Sequence, residues 1–446
     1  MQLTVENISS TQRLVKVTVP SEDLQKVYDA QVRKTMKTAR MDGFRKGHVP
    51  ANIIESQYGK QILEKLMSDF IGQSISSAEK ENKIAIVGHP KVKIEKLQKG
   101  EDLAYELTVD VFPEFEVKPL DALNIDVVKS EVKDGDVDKM IEVLRNQQAT
   151  WKNNDTLGAQ KDNLLYIDFT AKDGDREVTK GKNYEFPLVI GRNSPYPGFD
   201  DQLIGHKTGD SVSFRLKLPE DFHDKDIAGK EIDFEVKIKS VSEKILPEVD
   251  DRFIAKFGVK DGKLSTLKTE LAKNMNRELI KAVHAANSQN VFNALLEQYG
   301  EFEIPESLQE QEMGFLKQRI KQQYTQAGIK EDQIPDDFLT DTMKEQLDAE
   351  AAKRARFQVI LYNIAREKDF KGPTPEQINE ECRLMAQAYE NSEEVAAQIK
   401  KNRELFQNVF SQAYDKSFVQ FVIDNAKTTE VPKTFSELFP NDFAGA

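Results

Sequence analysis

The hydrophobic period changes along this chain, and that change limits its fold more than any other feature. Residues 1–112 mix strand and helix patterns, residues 160–245 read as short alternating strands, and residues 246–446 read as helices. One core cannot serve three such regions, and 446 residues exceed what a single core usually organises. The expected fold class is therefore multidomain α+β. An N-terminal α+β domain (1–112) leads through a connector (113–150) to an antiparallel β domain (151–245) and an all-α C-terminal domain (246–446).

The patterns are specific. "LVKVTV" alternates Val15, Val17 and Val19, as a half-buried strand does, and "LAYELTVDV" repeats the alternation from Leu103 to Val111. Between them Ser21 is placed to cap a helix with Leu24, Tyr28 and Val32 on one face. Pro50 suits the first turn of a second helix carrying Ile62, Leu66 and Phe70. The connector opens with Pro113 and Pro119 and ends in a short helix with Val137, Ile141 and Leu144. Strands such as "LLYIDFTAKDG", "SVSFRLKL" and "IDFEVKIKSV" then alternate with Gly, Pro and Asp turns. Beyond them Leu267, Leu271, Met275, Leu279 and Val283 recur every fourth residue, and "TPEQ" at 374–377 has the form of a capping box.

Much chemistry is missing from the sequence. The five histidines show no ligand spacing, and the one cysteine, Cys382, completes neither a zinc site nor an internal disulfide. There is no GxGxxG, no Walker loop and no GxSxG elbow. No metal and no cofactor are expected. No apolar run approaches the roughly 20 residues needed to cross a bilayer. "MQLTVENISSTQRLVKVTVP" lacks the parts of a signal peptide. The reading is cytoplasmic, with no membrane partner.

The net charge is −13, yet "DGFRKGHVP" groups Phe44, Arg45 and Lys46 between Gly43 and Gly47. Seven basic residues stand against two acidic ones between Gln25 and Lys46. Two glycines allow sharp turns at both ends of a loop tip, which leaves an aromatic and two cations facing outward. Such a tip suits docking on a surface where phosphate and protein meet, with arginine as a planar fork and lysine as a point charge. The residues alone describe an ordinary loop between two helices more readily than a docking tip.

In this position "GFRKGHVP" resembles the GFRxGxxP signature of the bacterial trigger factors, with Gly43, Phe44, Arg45, Gly47 and Pro50 in its fixed places. The resemblance implies an N-terminal ribosome-binding domain. Its tip residues Phe44, Arg45 and Lys46 would contact a protein and rRNA of the large subunit beside the exit tunnel. A second stretch, "PYPGFDDQLIGHKTGD" through "LPEDFHDKDIAGK" to "IDFEVKI", resembles the FKBP-type peptidyl-prolyl isomerases, which occupy the same place in that family. By alignment, the resemblance implies an aromatic wall of Phe169, Phe186, Tyr196, Phe199, Phe222 and Phe234. Phe199 would be the floor, and the Tyr196 backbone N–H would hold the substrate carbonyl. Strand aromatics in a small barrel are also ordinary core, and spacing alone does not separate the two. Two positions depart from the family pattern. Val178 stands where a phenylalanine is usual, and Pro195 replaces an apolar residue beside Tyr196.

The resemblance implies an ATP-independent chaperone that binds nascent and unfolded polypeptides and isomerises X–Pro bonds. Its helical C-terminal domain would form arms enclosing a cradle, and the protein would form a homodimer away from the ribosome. The competing readings are a periplasmic chaperone, a cytosolic isomerase and chaperone without ribosome contact, and a nucleic-acid-binding protein. The first lacks a signal peptide, and the last lacks a broad basic stripe.

Overall fold

The valines of "LVKVTV" find their partners within the first 111 residues of the computed structural model, which describes residues 1–40, 44–45, 47–96, 101–154, 156–179, 184–222, 224–335, 338–386 and 391–440. Strands β1 (Gln2–Asn7) and β2 (Gln12–Val19) precede helices α1 (Ser21–Thr38) and α2 (Ala51–Asn82). Strands β3 (Ile86–Lys96) and β4 (Leu103–Val111) complete an antiparallel sheet in the order β1-β2-β4-β3. Val15, Val17 and Val19 pair with Leu107, Tyr105 and Leu103. These six side chains join Leu24, Tyr28, Val32, Ile62, Leu66 and Phe70 in one core. Each buried aliphatic chain there contributes about 1.5–3 kcal/mol of transfer free energy. The Tyr105 hydroxyl, buried in this core, shares a 2.7 Å hydrogen bond with Ser74, and burial pushes its pKa up. Ser21 does not cap α1. Pro20 holds the cap position, Ser21 begins the helix, and its amide donates to Asp102 Oδ1 at 2.8 Å. Pro50 likewise lies one residue before α2 rather than within it.

The next block is β5 (Asn124–Lys129), α3 (Asp134–Gln147), β6 (Thr150–Asn153), β7 (Leu164–Asp173), β8 (Arg176–Glu177), β9 (Phe186–Val189), β10 (Ser211–Lys217) and β11 (Glu231–Ile245). The long β11 is the hub. It pairs with β10 on one side, with β7 on the other, and with β6 at its far end, while β7 also pairs with β8 and β9. Alternation along β7 sends Leu165, Ile167, Phe169 and Ala171 inward to meet Phe234, Val236 and Ile238 of β11. A bulge at Ile238/Ser240 re-aims the end of β11 toward β6.

The remaining elements are α4 (Asp251–Ala255), α5 (Leu264–Tyr299), α6 (Glu306–Gln326), α7 (Asp341–Glu367), α8 (Pro375–Ala386), α9 (Ser392–Lys401), α10 (Arg403–Asn425), β12 (Lys427–Pro432) and α11 (Phe435–Leu438). Side chains fix where several of them start. Asp250 caps α4, Thr340 caps α7, and Asn402 caps α10. At α8 the Thr374 amide donates to Gln377 Oε1 at 2.7 Å while the Gln377 amide donates to Thr374 Oγ1 at 3.3 Å. That is the reciprocal pair expected from "TPEQ".

The chain divides into two compact units, one of Met1–Val127 with His284–Val431, the other of Val128–Val283 with Pro432–Ala446. In the first, Val117, Leu120, Leu123 and Ile125 pack with Val291, Leu295, Ile360, Ile364 and Phe418. Val87 of β3 packs with Leu308 of α6 and Val359 of α7, and Phe112 stacks on Tyr362 at 4.4 Å. In the second unit, α3 and α5 share a small core of Val137, Met275 and Leu279, closed by Phe435.

Candidate functional site

The inward alternation of β7, β10 and β11 delivers three phenylalanines to one end of the sheet: Phe169, Phe214 and Phe234. Phe186 enters from β9, opposite Ile167. Tyr196 and Phe199 come from the segment that follows β9, and Phe222 from the turn after β10. All six aromatics expected from the sequence meet. Phe199, fully buried, has the rings of Phe169, Phe234 and Tyr196 at 5.4, 5.3 and 6.2 Å. Tyr196 touches the Phe234 ring at 4.9 Å and stacks on Phe222 at 5.9 Å. Phe186 meets Phe169 edge-on at 5.7 Å. Most of these pairs are tilted or edge-to-face, the arrangement aromatic quadrupoles favour.

Burial grades through the cluster. Phe199, Phe234 and Phe169 are buried, whereas Phe186, Tyr196 and Phe222 are only half-buried. The result is a buried aromatic floor with a partly open aromatic rim. Sequence reasoning missed Phe214, whose ring lies 5.4 Å from Phe199 and stacks on Phe234 at 5.5 Å. Its alternation with Val212 and Leu216 in "SVSFRLKL" was the available signal. Val178 is buried in the same core, and its amide donates to the Ala171 carbonyl at 2.8 Å.

Hydrogen bonds hold the segment bearing Tyr196. The Gly191 amide donates to Asp200 Oδ2 at 2.6 Å, which closes the segment at its two ends. Inside it, the Tyr196 carbonyl accepts from Ser194 Oγ at 2.8 Å and from the Phe199 amide at 3.1 Å. Asn193 Oδ1 accepts the Val189 amide at 2.6 Å, and its Nδ2 donates to the Pro187 carbonyl at 2.9 Å. On β7 the Glu185 amide and then Lys239 hold the Asp168 carboxyl below the usual carboxylate range. The assembled ring cluster offers a shaped apolar surface with a hydrogen-bonded backbone beside it.

A second feature lies between α1 and α2. Phe44 and Arg45 are exposed, Phe44 by 39%, an unusual degree for a phenylalanine. The His48 amide donates to the Arg45 carbonyl at 2.9 Å, and Gly47 takes φ +84°, which favours glycine. Val49, fully buried, anchors the base. Gly43 and Lys46, expected at the same tip, lie outside the described residues. Along α1 and just past it, Arg33, Lys34, Lys37 and Arg40 are exposed. None of the four has an ion-pair partner among the described residues.

No helix of the described residues is long and apolar enough to cross a membrane. No group of three or more His, Cys, Asp or Glu among them could hold a metal ion.

Comparison with known proteins covers the whole chain. Residues 1–144 match the bacterial trigger factor protein model, residues 263–424 the trigger factor C-terminus model, and residues 156–239 the FKBP-type peptidyl-prolyl cis-trans isomerase model. The trigger factor of Psychromonas ingrahamii is 33% identical over 98% of this chain and 99% of its own length. That of Haemophilus influenzae is 32% identical over the same shares. A solved chain from work on promiscuous substrate recognition by the trigger factor chaperone covers 95% of this chain and 100% of its own, at 18% identity and a TM-score of 0.43. With this full-length similarity and an FKBP-type domain in its middle, the chain belongs to the bacterial trigger factor family, the chaperones that carry a peptidyl-prolyl isomerase.

Proposed function

We propose that the ring cluster is the isomerase site, that the tip at Phe44–Lys46 docks on the large ribosomal subunit, and that the helices hold nascent and unfolded chains. The observation that carries the first part is the meeting of six aromatic rings in one cluster, with Phe169, Tyr196 and Phe234 against the buried Phe199 and with Phe186 and Phe222 joined to it through Phe169 and Tyr196. Rotation about an X–Pro bond faces a barrier of about 18–20 kcal/mol, set by amide resonance. No covalent step is needed. A surface that binds the twisted imide better than the planar one lowers that barrier. The twisted form has less charge separation across the C–N bond, so an apolar aromatic wall favours it. In this reading Phe199 is the floor beneath the proline ring, with Phe169 and Phe234 beside it. Phe186, Tyr196 and Phe222 form the rim, and the Tyr196 amide holds the substrate carbonyl.

Docking follows from exposure and charge. Phe44 supplies a flat apolar anchor, and Arg45 with Lys46 meets the phosphates of rRNA and the acidic groups of an exit-tunnel protein. Gly47, at φ +84°, lets the tip turn. The open cations of α1 extend the same polarity while the rest of the chain stays acidic. Residues 1–112 would thus dock and 151–245 isomerise. The helical region from 246 onward, with the 113–150 connector, would form the arms of a chaperone cradle. Exposed Phe315 on α6 and Phe410 on α10 are apolar surface of the kind that holds unfolded chains weakly. The family relationship further supports a cytoplasmic location and a homodimer away from the ribosome.

The test of docking is co-sedimentation with ribosomes. Alanine at Phe44, Arg45 and Lys46 together should abolish it with the fold and isomerase turnover intact. A folded triple variant that still binds would mean that the chain contacts ribosomes through another surface.

A further inference from the structure

The ladder between β7 and β9 stops at one residue pair, and a side chain takes over where it stops. Phe186 is opposite Ile167, the last pair of the ladder. One residue earlier, Glu185 has φ +49°, a left-handed conformation that side chains other than glycine resist. Its amide therefore leaves the sheet. It donates instead to Oδ1 of Asp168 at 2.8 Å, the residue next to Ile167 on β7. The other oxygen of that carboxylate, Oδ2, pairs with Lys239 at 2.9 Å. Alternation places Asp168 on the outer face of the sheet while its neighbours Ile167 and Phe169 point inward.

A carboxylate on the outer face of the sheet thus holds the backbone that places a ring in the inner aromatic cluster. Phe186 follows Glu185 directly and meets Phe169 edge-on at 5.7 Å and 86°. Phe169 follows Asp168 in the same way. The two rings and the Asp168–Glu185 bond form one short closed path across β7 and β9. We infer that Asp168 is a positioning residue of the isomerase, fixing the Phe186 ring at the pocket rim through the Glu185 amide. The inference rests on the aromatic cluster being the isomerase site. It assigns Asp168 no contact with substrate. Without the carboxylate, the left-handed turn at Glu185 has nothing to hold its amide, and Phe186 loses its fixed approach to Phe169. The effect should fall on substrate binding at the rim, so KM rises more than kcat falls.

The test is a double-mutant cycle in the full chain, read by isomerisation of X–Pro peptides and by thermal unfolding. Phe186→Ala is measured first and should reduce kcat/KM about fivefold or more. Asp168→Ala should reduce it by a similar factor. The double variant should be no worse than Phe186→Ala alone, because both changes remove the same ring placement. Asp168→Asn should recover most activity, since its carbonyl oxygen still accepts the Glu185 amide. Lys239→Ala should change activity little. Should Asp168→Ala not fold, Asp168→Ser serves in its place, with an oxygen too short to reach the amide. Losses that multiply in the double variant, or full activity in a folded Asp168→Ala, would overturn the inference. If Phe186→Ala and Phe199→Ala were both without effect, the isomerase site itself would be misplaced, a distinguishable failure.

Discussion

Phe199→Ala is the sharpest test of the isomerase site. The ring is fully buried and has four aromatic neighbours: Phe169 at 5.4 Å, Tyr196 at 6.2 Å, Phe214 at 5.4 Å and Phe234 at 5.3 Å. Truncating a buried phenylalanine costs about 3–5 kcal/mol, partly as lost transfer energy and partly as a cavity. Each of these aromatic pairs, three edge-to-face and the Tyr196 pair tilted, adds about 0.5–1.5 kcal/mol beyond area burial, and the four are not additive because they share one ring. A loss near the upper end is therefore expected, and the unfolding transition must be measured before any rate. Phe199→Leu separates the two effects. It keeps apolar volume and should cost less stability than Phe199→Ala, yet it removes the flat face under the proline.

The assay is protease-coupled isomerisation of a short X–Pro peptide at several enzyme concentrations. Both variants should lose at least tenfold in kcat/KM, which requires only about 1.4 kcal/mol of transition-state binding. Ribosome co-sedimentation should be unchanged in both. A folded Phe199→Ala protein with undiminished turnover would refute the assignment. Absence of turnover in the unaltered protein would mean something else. Val178 and Pro195, the two departures from the family pattern, would have left a pocket that binds without catalysing.

Ribosome binding should weaken with added salt, because Arg45, Lys46 and the open cations of α1 interact across a screened solvent; binding independent of ionic strength would contradict the charged docking surface. Phe315→Ser with Phe410→Ser should reduce suppression of client aggregation without altering isomerase turnover or the unfolding midpoint, since both rings are more than a third exposed; unaltered suppression would remove these two positions from the client surface. Gly88→Ala should destabilise by about 1–3 kcal/mol, because an added Cβ would lie 2.5 Å from Ser307 Cβ at a residue with φ +69°. Denaturant unfolding measures it, and Ser307→Gly in the same chain should recover part of the loss. Burial holds the Glu312 pKa above the ordinary glutamate value of 4.5, so its contribution to stability is present below that value and lost as pH rises through its own. Glu312→Gln should therefore gain on the unaltered protein as pH is raised from 4 to 8; parallel stability curves would show that its charge is not penalised.

What the sequence made legible depended on how far apart the deciding residues lay. The alternation of "LAYELTVDV" is local, and β4 buries Leu103, Tyr105, Leu107, Val109 and Val111 as that alternation requires. The "TPEQ" cap is local too, with both bonds inside four residues. The six rings of the cluster span 66 positions and were singled out only through resemblance, because a phenylalanine on an alternating strand looks the same in a core as in a site. Phe214 escaped for that reason. Asp168 escaped because nothing in "YIDFTAKDG" shows that its carboxylate will take an amide from residue 185. Ser21 misled because a serine before a helix normally caps it, whereas here a preceding proline fixes the entry and an aspartate at 102 takes the amide.

The least legible feature was the one that organises the most chain. Residues up to Val127 share a compact unit with residues from His284 to Val431, with the intervening stretch belonging to another. The contacts responsible are specific and distant. Asn363, almost fully buried, donates from Nδ2 to the Pro113 carbonyl at 3.0 Å across 250 positions. Ser307 donates its amide to Asp110 Oδ2 at 2.9 Å. The Val117 amide donates to Glu367 Oε2 at 3.1 Å, and that bond holds the carboxyl of Glu367 below its usual range. No periodicity announces such pairings, since a buried carbonyl such as that of Pro113 must be satisfied by whatever the fold brings near. They also bear on how the chain assembles. Closing contacts over some 200 residues is slow on entropic grounds, whereas the N-terminal core is built from residues 15–111 alone. The core of β2, β4, α1 and α2 can therefore form early, and the helices from His284 onward must find Phe112, Pro113 and Val117 afterwards. The order of protection in pulsed hydrogen exchange would show it: amides of β2 and β4 ahead of those in α7, with the reverse order excluding this route.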